Sequence, residues 1–165
     1  MVSVSNDKLV KVGHPVLYGF LAIWTFVELV LAAYLVGFGY PNTSTQNQTR
    51  FLLFAGLLGF LLSVAYAVMF RVASGSFLSS IASHVGSVAL LWIFFLAGAA
   101  ALTNNLGGRI DCGQADFATC TTLNALEGMS WVVFVWLSII LVLLAIIGIR
   151  SARSGNGFGG SLVQG

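Results

Sequence analysis

Charge is scarce in this chain. Among 165 residues there are seven Lys or Arg and five Asp or Glu, 7% of the total, against 58% hydrophobic residues. Soluble domains carry roughly a quarter charged residues, and a short chain has a large surface to cover for its volume. So few charges cannot cover it, which excludes a soluble globule. They also lie between long apolar runs, so the chain reads as an integral membrane protein. A net charge of +2, with basic residues in pairs and no stripe, is too small to argue for nucleic acid, and no such partner is expected.

Histidine and cysteine are scarcer still, two of each. There is no CxxC, no phosphate-binding glycine loop, no nucleophile beside a base, no paired carboxylates and no two haem ligands at matched depth. The expectation is therefore a protein that is not an enzyme, with no cofactor, no metal and no small-molecule substrate. No repeat of fixed period is evident.

What the chain does have is apolar length. A helix needs about 20 apolar residues to cross the hydrocarbon core, and four segments supply them, about 16–38, 51–72, 81–102 and 128–149. Strict alternation is absent from these runs, which favours helices over tilted strands. The expected fold class is all-α, an integral membrane four-helix bundle. Residues 1–13 form its N-terminus, 14–150 the four-span domain, and 151–165, rich in Gly and Ser, a flexible tail. The apolar run after Lys11 is too long for a signal peptide and contains Glu28, so the first span is expected to be retained. With four spans, Lys8, Lys11, Arg71, Arg150 and Arg153 share one side, against Arg50 and Arg109 on the other. The excess of basic residues predicts cytoplasmic termini.

The polar connections then face outward. "PNTSTQNQTR" presents sequons at Asn42 and Asn47, candidate glycosylation sites, both close to helix ends. "DCGQADFATC" holds Cys112 and Cys120 with seven residues between them. An oxidising compartment favours a disulfide; zinc would need further ligands, and palmitoylation needs cytoplasmic thiols. A structural Cys112–Cys120 bridge is expected, stiffening the start of the fourth helix by roughly 2–3 kcal/mol. Asp111 and Asp116 beside it read as loop solvation.

Inside the spans, Glu28 stands out. An intramembrane carboxylate costs several kcal/mol unless it is protonated, paired or turned into the bundle. Counting from the span ends places Ser63, Trp92 and Ser138 at similar depth as candidate partners. His14 and His84 both fall near the cytoplasmic ends of their spans, about 15 Å or more away at 1.5 Å per residue, too far for a proton relay. A structural, protonated Glu28 is the expectation, with a proton or ion path as the alternative.

Ala55, Gly59, Ser63 and Ala67 recur every four residues in the second span, as do Ser79, Ser83 and Ser87 at the start of the third. Such small-residue ridges let helices approach closely. They predict a tight hairpin of spans two and three, or an oligomer interface. Tyr18, Tyr40 and Trp131 fall near span ends and read as interfacial anchors.

A short amino end, four spans, a tiny middle turn and a longer second outer loop with two cysteines resemble the plan of MARVEL-domain tetraspans. The match is best in "CTTLNALEGMSWVVFVWLSIILVLL", where Cys120, Ala125, Trp131, Phe134 and Trp136 resemble the fungal branch that includes the yeast non-classical export protein group. The claudin-like first-loop signature and the Cys-Cys-Gly of tetraspanins are missing. The resemblance implies membrane organisation or vesicle and plasma-membrane traffic, in the plasma membrane or secretory pathway. Its partners would be membrane lipids and either itself or a larger integral membrane protein. An accessory subunit of a membrane enzyme or transporter is the runner-up, and a small channel or proton carrier using Glu28 the third.

Overall fold

The computed structural model of the chain describes residues 3–38, 43–72, 81–113 and 118–153. They form four helices: α1 (Ser3–Phe38), α2 (Thr43–Val72), α3 (Ile81–Leu106) and α4 (Cys120–Arg153). Each contains an apolar stretch of 24 to 30 residues, about 36–45 Å of helix against a hydrocarbon core of about 30 Å. The protein is thus an all-α, multi-pass membrane bundle. Asn42, Tyr40, Ser79, Asp116 and the tail beyond residue 153 lie outside the described residues.

The starts of α1, α2 and α4 depart most from the hydropathy expectation, and those of α2 and α4 for one reason. Apolar runs mark where a helix meets lipid, whereas a helix itself continues as long as one face is covered. α2 begins at Thr43 instead of near residue 51, so most of "PNTSTQNQTR" is helix, not loop, and Asn47 is an exposed residue of its first turns. α4 begins at Cys120 instead of near 128, because Leu123 and Leu126 are already fully buried one turn apart. α1 runs back to Ser3, with Pro15 inside it where its apolar stretch begins.

The helices pack in a ring, α1 on α2, α2 on α3, α3 on α4 and α4 on α1. The start of α1 and the end of α4 lie at one end, called here the terminal end; the end of α1, the start of α2, the end of α3 and the start of α4 lie at the distal end. The interior positions follow alternating steps of three and four. In α1 they are Tyr18, Leu21, Thr25, Glu28, Ala32 and Leu35; in α4 they include Leu123, Leu126, Ser130, Val133, Leu137, Ile140 and Leu144. That spacing is the seam of left-handed helix packing. The outward positions are apolar as well, among them Phe20, Ile23, Phe26, Phe54, Leu61, Ile93, Val135 and Val142. Helices that are apolar all round are those of a membrane or a large core, and here the outer face meets lipid.

The α2–α3 hairpin suggested by the sequence is tight, since a methyl group at Gly98 would sit 2.5 Å from Leu52 Cδ2, and α1 packs closely on α2 as well. A methyl group at Gly56 would sit 3.3 Å from the Leu29 amide nitrogen and 3.4 Å from its Cα. One turn on, a methyl at Gly59 would sit 2.9 Å from Thr25 Cγ2. The ridge of α2 therefore seats α1. Ala55, Gly59 and Ser63 are buried, and Ala67 is half-buried at its end. The serines of α3 serve hydrogen bonding: Ser83 and Ser87 hold the hydroxyl of Tyr66 across the α2–α3 seam, with Oγ–OH distances of 3.0 and 2.6 Å.

Candidate functional site

Polar groups inside the bundle gather at three levels. The middle one is built around Glu28, whose side chain is 0% exposed. Its Oε1 lies 2.6 Å from Ser130 Oγ on α4, and Ser130 Oγ lies 2.8 Å from the Leu126 carbonyl oxygen. A hydroxyl has one proton. Two unshared hydrogen bonds here need a second proton, which a carboxyl group can carry. Glu28 Oε2 has no hydrogen-bond partner among the described residues.

The three residues placed at Glu28's depth by counting do not reach it. Ser63 Oγ donates to the Gly59 carbonyl of its own helix at 2.6 Å. Trp92 and Ser138 find each other instead: the indole Nε1–H donates to Ser138 Oγ at 2.8 Å, and Ser138 donates to the Phe134 carbonyl at 2.9 Å. Counting missed Ser130 because it started α4 eight residues late. With the observed ends, Glu28 lies ten residues before the distal end of α1 and Ser130 ten residues after the distal start of α4.

Toward the terminal end, Tyr18, Tyr66 and His84 form an aromatic cluster. The Tyr66 and His84 rings are 4.2 Å apart, and Tyr18 lies 5.6 Å from each. Tyr18 is 2% exposed. It is a core residue of the bundle, not the lipid-interface anchor expected from its position, because its α1 face is the one turned to α2 and α3. Between this cluster and Glu28 the interior hydroxyl of Thr25 donates to the Leu21 carbonyl at 2.7 Å. The side chain of His14 lies outside the described residues.

The distal end carries the third group. α3 stops at two glycines with positive φ, Gly107 at 68° and Gly108 at 90°. The Gly108 amide donates to the Thr103 carbonyl at 3.0 Å and Gly107 to Asn104 at 3.4 Å, the paired closure of a Schellman cap that only glycine enters without strain. The chain then turns back along α4. Asn124 holds it there with both ends of its amide, accepting from the Ile110 N–H at 3.0 Å and donating to the Ile110 carbonyl at 2.8 Å. Cys112 and Cys120 are joined in a disulfide, with Cα atoms 5.7 Å apart. Asp111 is exposed, and its Oδ1 accepts the Gly113 amide at 3.0 Å. On the neighbouring seam Asn105 donates to Ser44 Oγ at 2.7 Å and to Gln48 Oε1, tying α3 to the polar first turns of α2.

Between this connection and the start of α4 lies an open cavity of about 930 Å³. Arg109, Asp111, Asn124, Glu127 and Trp131 contribute to its lining. Trp131 is pinned by its Nε1–H, which donates to Thr103 Oγ1 at 3.0 Å. Glu127 is 9% exposed and makes no hydrogen bond or ion pair among the described residues. Sequence reasoning left Glu127 in the polar loop. The signal for it was the pair Leu123 and Leu126, which already start the three–four spacing of α4.

Among the described residues no three His, Cys, Asp or Glu side chains come together as a metal site. No protein-family model, no curated protein and no solved structure matches this chain.

Proposed function

We propose that this is a non-enzymatic tetraspan protein that organises membrane microdomains or accompanies vesicle and plasma-membrane traffic, acting through lateral contacts of its helices with lipids and other spans. One observation carries the reading: nearly all the described chain is membrane helix, with apolar side chains over its whole outer face. The described residues meet their surroundings mainly through lipid-facing surfaces, the polar first turns of α2 and the stapled connection. The MARVEL-like plan of that connection, with Cys112 and Cys120 ahead of the Trp131–Trp136 segment, supports the same reading. It favours the plasma membrane or secretory pathway with cytoplasmic termini.

Proton carriage through Glu28 is the weaker alternative. The interior hydroxyls of Thr25 and Ser63 are bonded to their own helices, which leaves no described chain of exchangeable groups from Glu28 to the His84 cluster. Purification in mild detergent, followed by native mass measurement and identification of what travels with the protein, tests the proposal. Homo-oligomers or lipid-rich assemblies of varied composition are expected. A single partner at fixed stoichiometry would replace the reading with that of an accessory subunit. Proton flux in liposomes that Glu28→Gln abolishes would replace it with carriage.

A further inference from the structure

The distal cavity combines features that a merely solvated loop does not need. A carboxylate that the bundle holds nearly buried, with its oxygens still open to a cavity, is positioned to pair with a cation that enters it. Glu127 lines the cavity at 9% exposure with no partner among the described residues. The exposed guanidinium of Arg109 lines the same space, likewise without an ion pair among the described residues, and Asp111 keeps Oδ2 free while Oδ1 holds Gly113. The described lining thus offers acceptors for a cation, a donor fork suited to a phosphate, and the ring of Trp131. At about 930 Å³ the cavity lies within the range of small-molecule sites, about 300–1,000 Å³. It opens at the start of the spanning stretch of α4, Cys120–Ile149, the level at which lipid headgroups lie.

We propose that this cavity binds the phosphoethanolamine headgroup of a phospholipid, the ammonium at Glu127 and Asp111 beside Trp131, the phosphate at Arg109. A primary ammonium fits better than a quaternary one. It can donate hydrogen bonds to Glu127, whereas a trimethylammonium needs a cage of several aromatic rings, and here one ring faces two carboxylates. Phosphatidylserine is disfavoured because it brings a further carboxylate to a lining in which the acids already outnumber the arginine. The assignment rests on the lipid-contact reading above and gives it a chemical preference.

The test uses the full chain, disulfide intact, in nanodiscs of phosphatidylcholine containing equal minor fractions of phosphatidylethanolamine and phosphatidylserine. Lipids retained on release into mild detergent are counted by native mass spectrometry. The ethanolamine lipid is expected to be retained about tenfold over its share, the factor one charge-assisted hydrogen bond supplies. Glu127→Gln and, separately, Arg109→Gln are expected to bring retention back toward its share. Arg109 is exposed, so its variant carries the test even if Glu127→Gln does not fold. Equal retention of the three lipids, a preference for choline or serine, or enrichment unchanged in both variants would overturn the proposal. Saturable binding of soluble glycerophosphoethanolamine without lipid enrichment would overturn the lipid as its source. The oligomeric state read from the same spectra scores the lateral-association reading separately.

Discussion

Replacing Ser130 by alanine removes the side chain that hydrogen-bonds Glu28 among the described residues. Glu28 Oε1 then loses its 2.6 Å contact and, with Oε2 already unpartnered, the whole carboxyl group is left without a hydrogen bond at a fully buried position. Orphaning a buried polar group costs about 1–3 kcal/mol, and more if it is charged. Glu28→Gln should differ sharply. A carboxamide N–H can donate to Ser130 Oγ as a carboxyl O–H does, while Ser130 keeps its bond to the Leu126 carbonyl, so a loss below about 1 kcal/mol is expected. Glu28→Met, unbranched and of similar length, removes acid and demand together and should be near neutral. Reversible unfolding in bicelles, followed by steric trapping or by SDS titration, gives the three differences on one scale. A Glu28→Gln loss equal to or larger than that of Ser130→Ala would refute the proton count and require an ionised carboxylate accepting from Ser130.

Three further outcomes follow from the packing. Gly56→Ala should weaken the bundle, because its methyl meets the Leu29 backbone at 3.3–3.4 Å, and backbone cannot swing aside. Gly86→Ala, with nothing within 4 Å, should be neutral or gain up to about 1 kcal/mol from helix propensity; the same unfolding assay orders the pair. Cys112→Ser should cost roughly 2–3 kcal/mol of loop closure, and intact mass with and without reduction should show the wild-type bridge as a 2-hydrogen difference. Asn124→Ala should cost about 1–2 kcal/mol by stripping the Ile110 N–H and carbonyl of their partner, seen as faster amide exchange of residues 108–113 with α1 and α2 unchanged.

How much of this was legible beforehand depends on which force wrote each feature. The four spans, their helical nature and the disulfide pair follow from composition and spacing, since lipid tolerates only backbone that satisfies itself. The partner of Glu28 was not legible by counting from hydropathy limits, because lipid contact ends before the helix does. "TTLNALE" is polar, yet Leu123 and Leu126 hold it to the bundle as part of α4. Eight residues of error in that boundary brought Ser138 forward as Glu28's partner and hid Ser130. The small-residue ridge of α2 was visible, but not which neighbour it would seat. A row of Ala, Gly and Ser permits close approach by any helix, and Gly56, outside the row, is where the α1 backbone comes nearest.

By itself, then, the sequence determined that this chain lives in a membrane, crosses it four times and closes its last connection with a staple. Those outcomes depend on transfer of side chains and backbone between water and lipid, which each segment settles alone. Only the tertiary structure decided that Glu28 meets Ser130, that Tyr18 lies in the core, and that Arg109, Glu127 and Trp131 share one cavity. In helices that are apolar on every side, no stripe of hydrophobicity tells the inner face from the outer. The inner face is chosen by the steric fit of four surfaces and by hydrogen bonds between residues as far apart in the chain as 28 and 130.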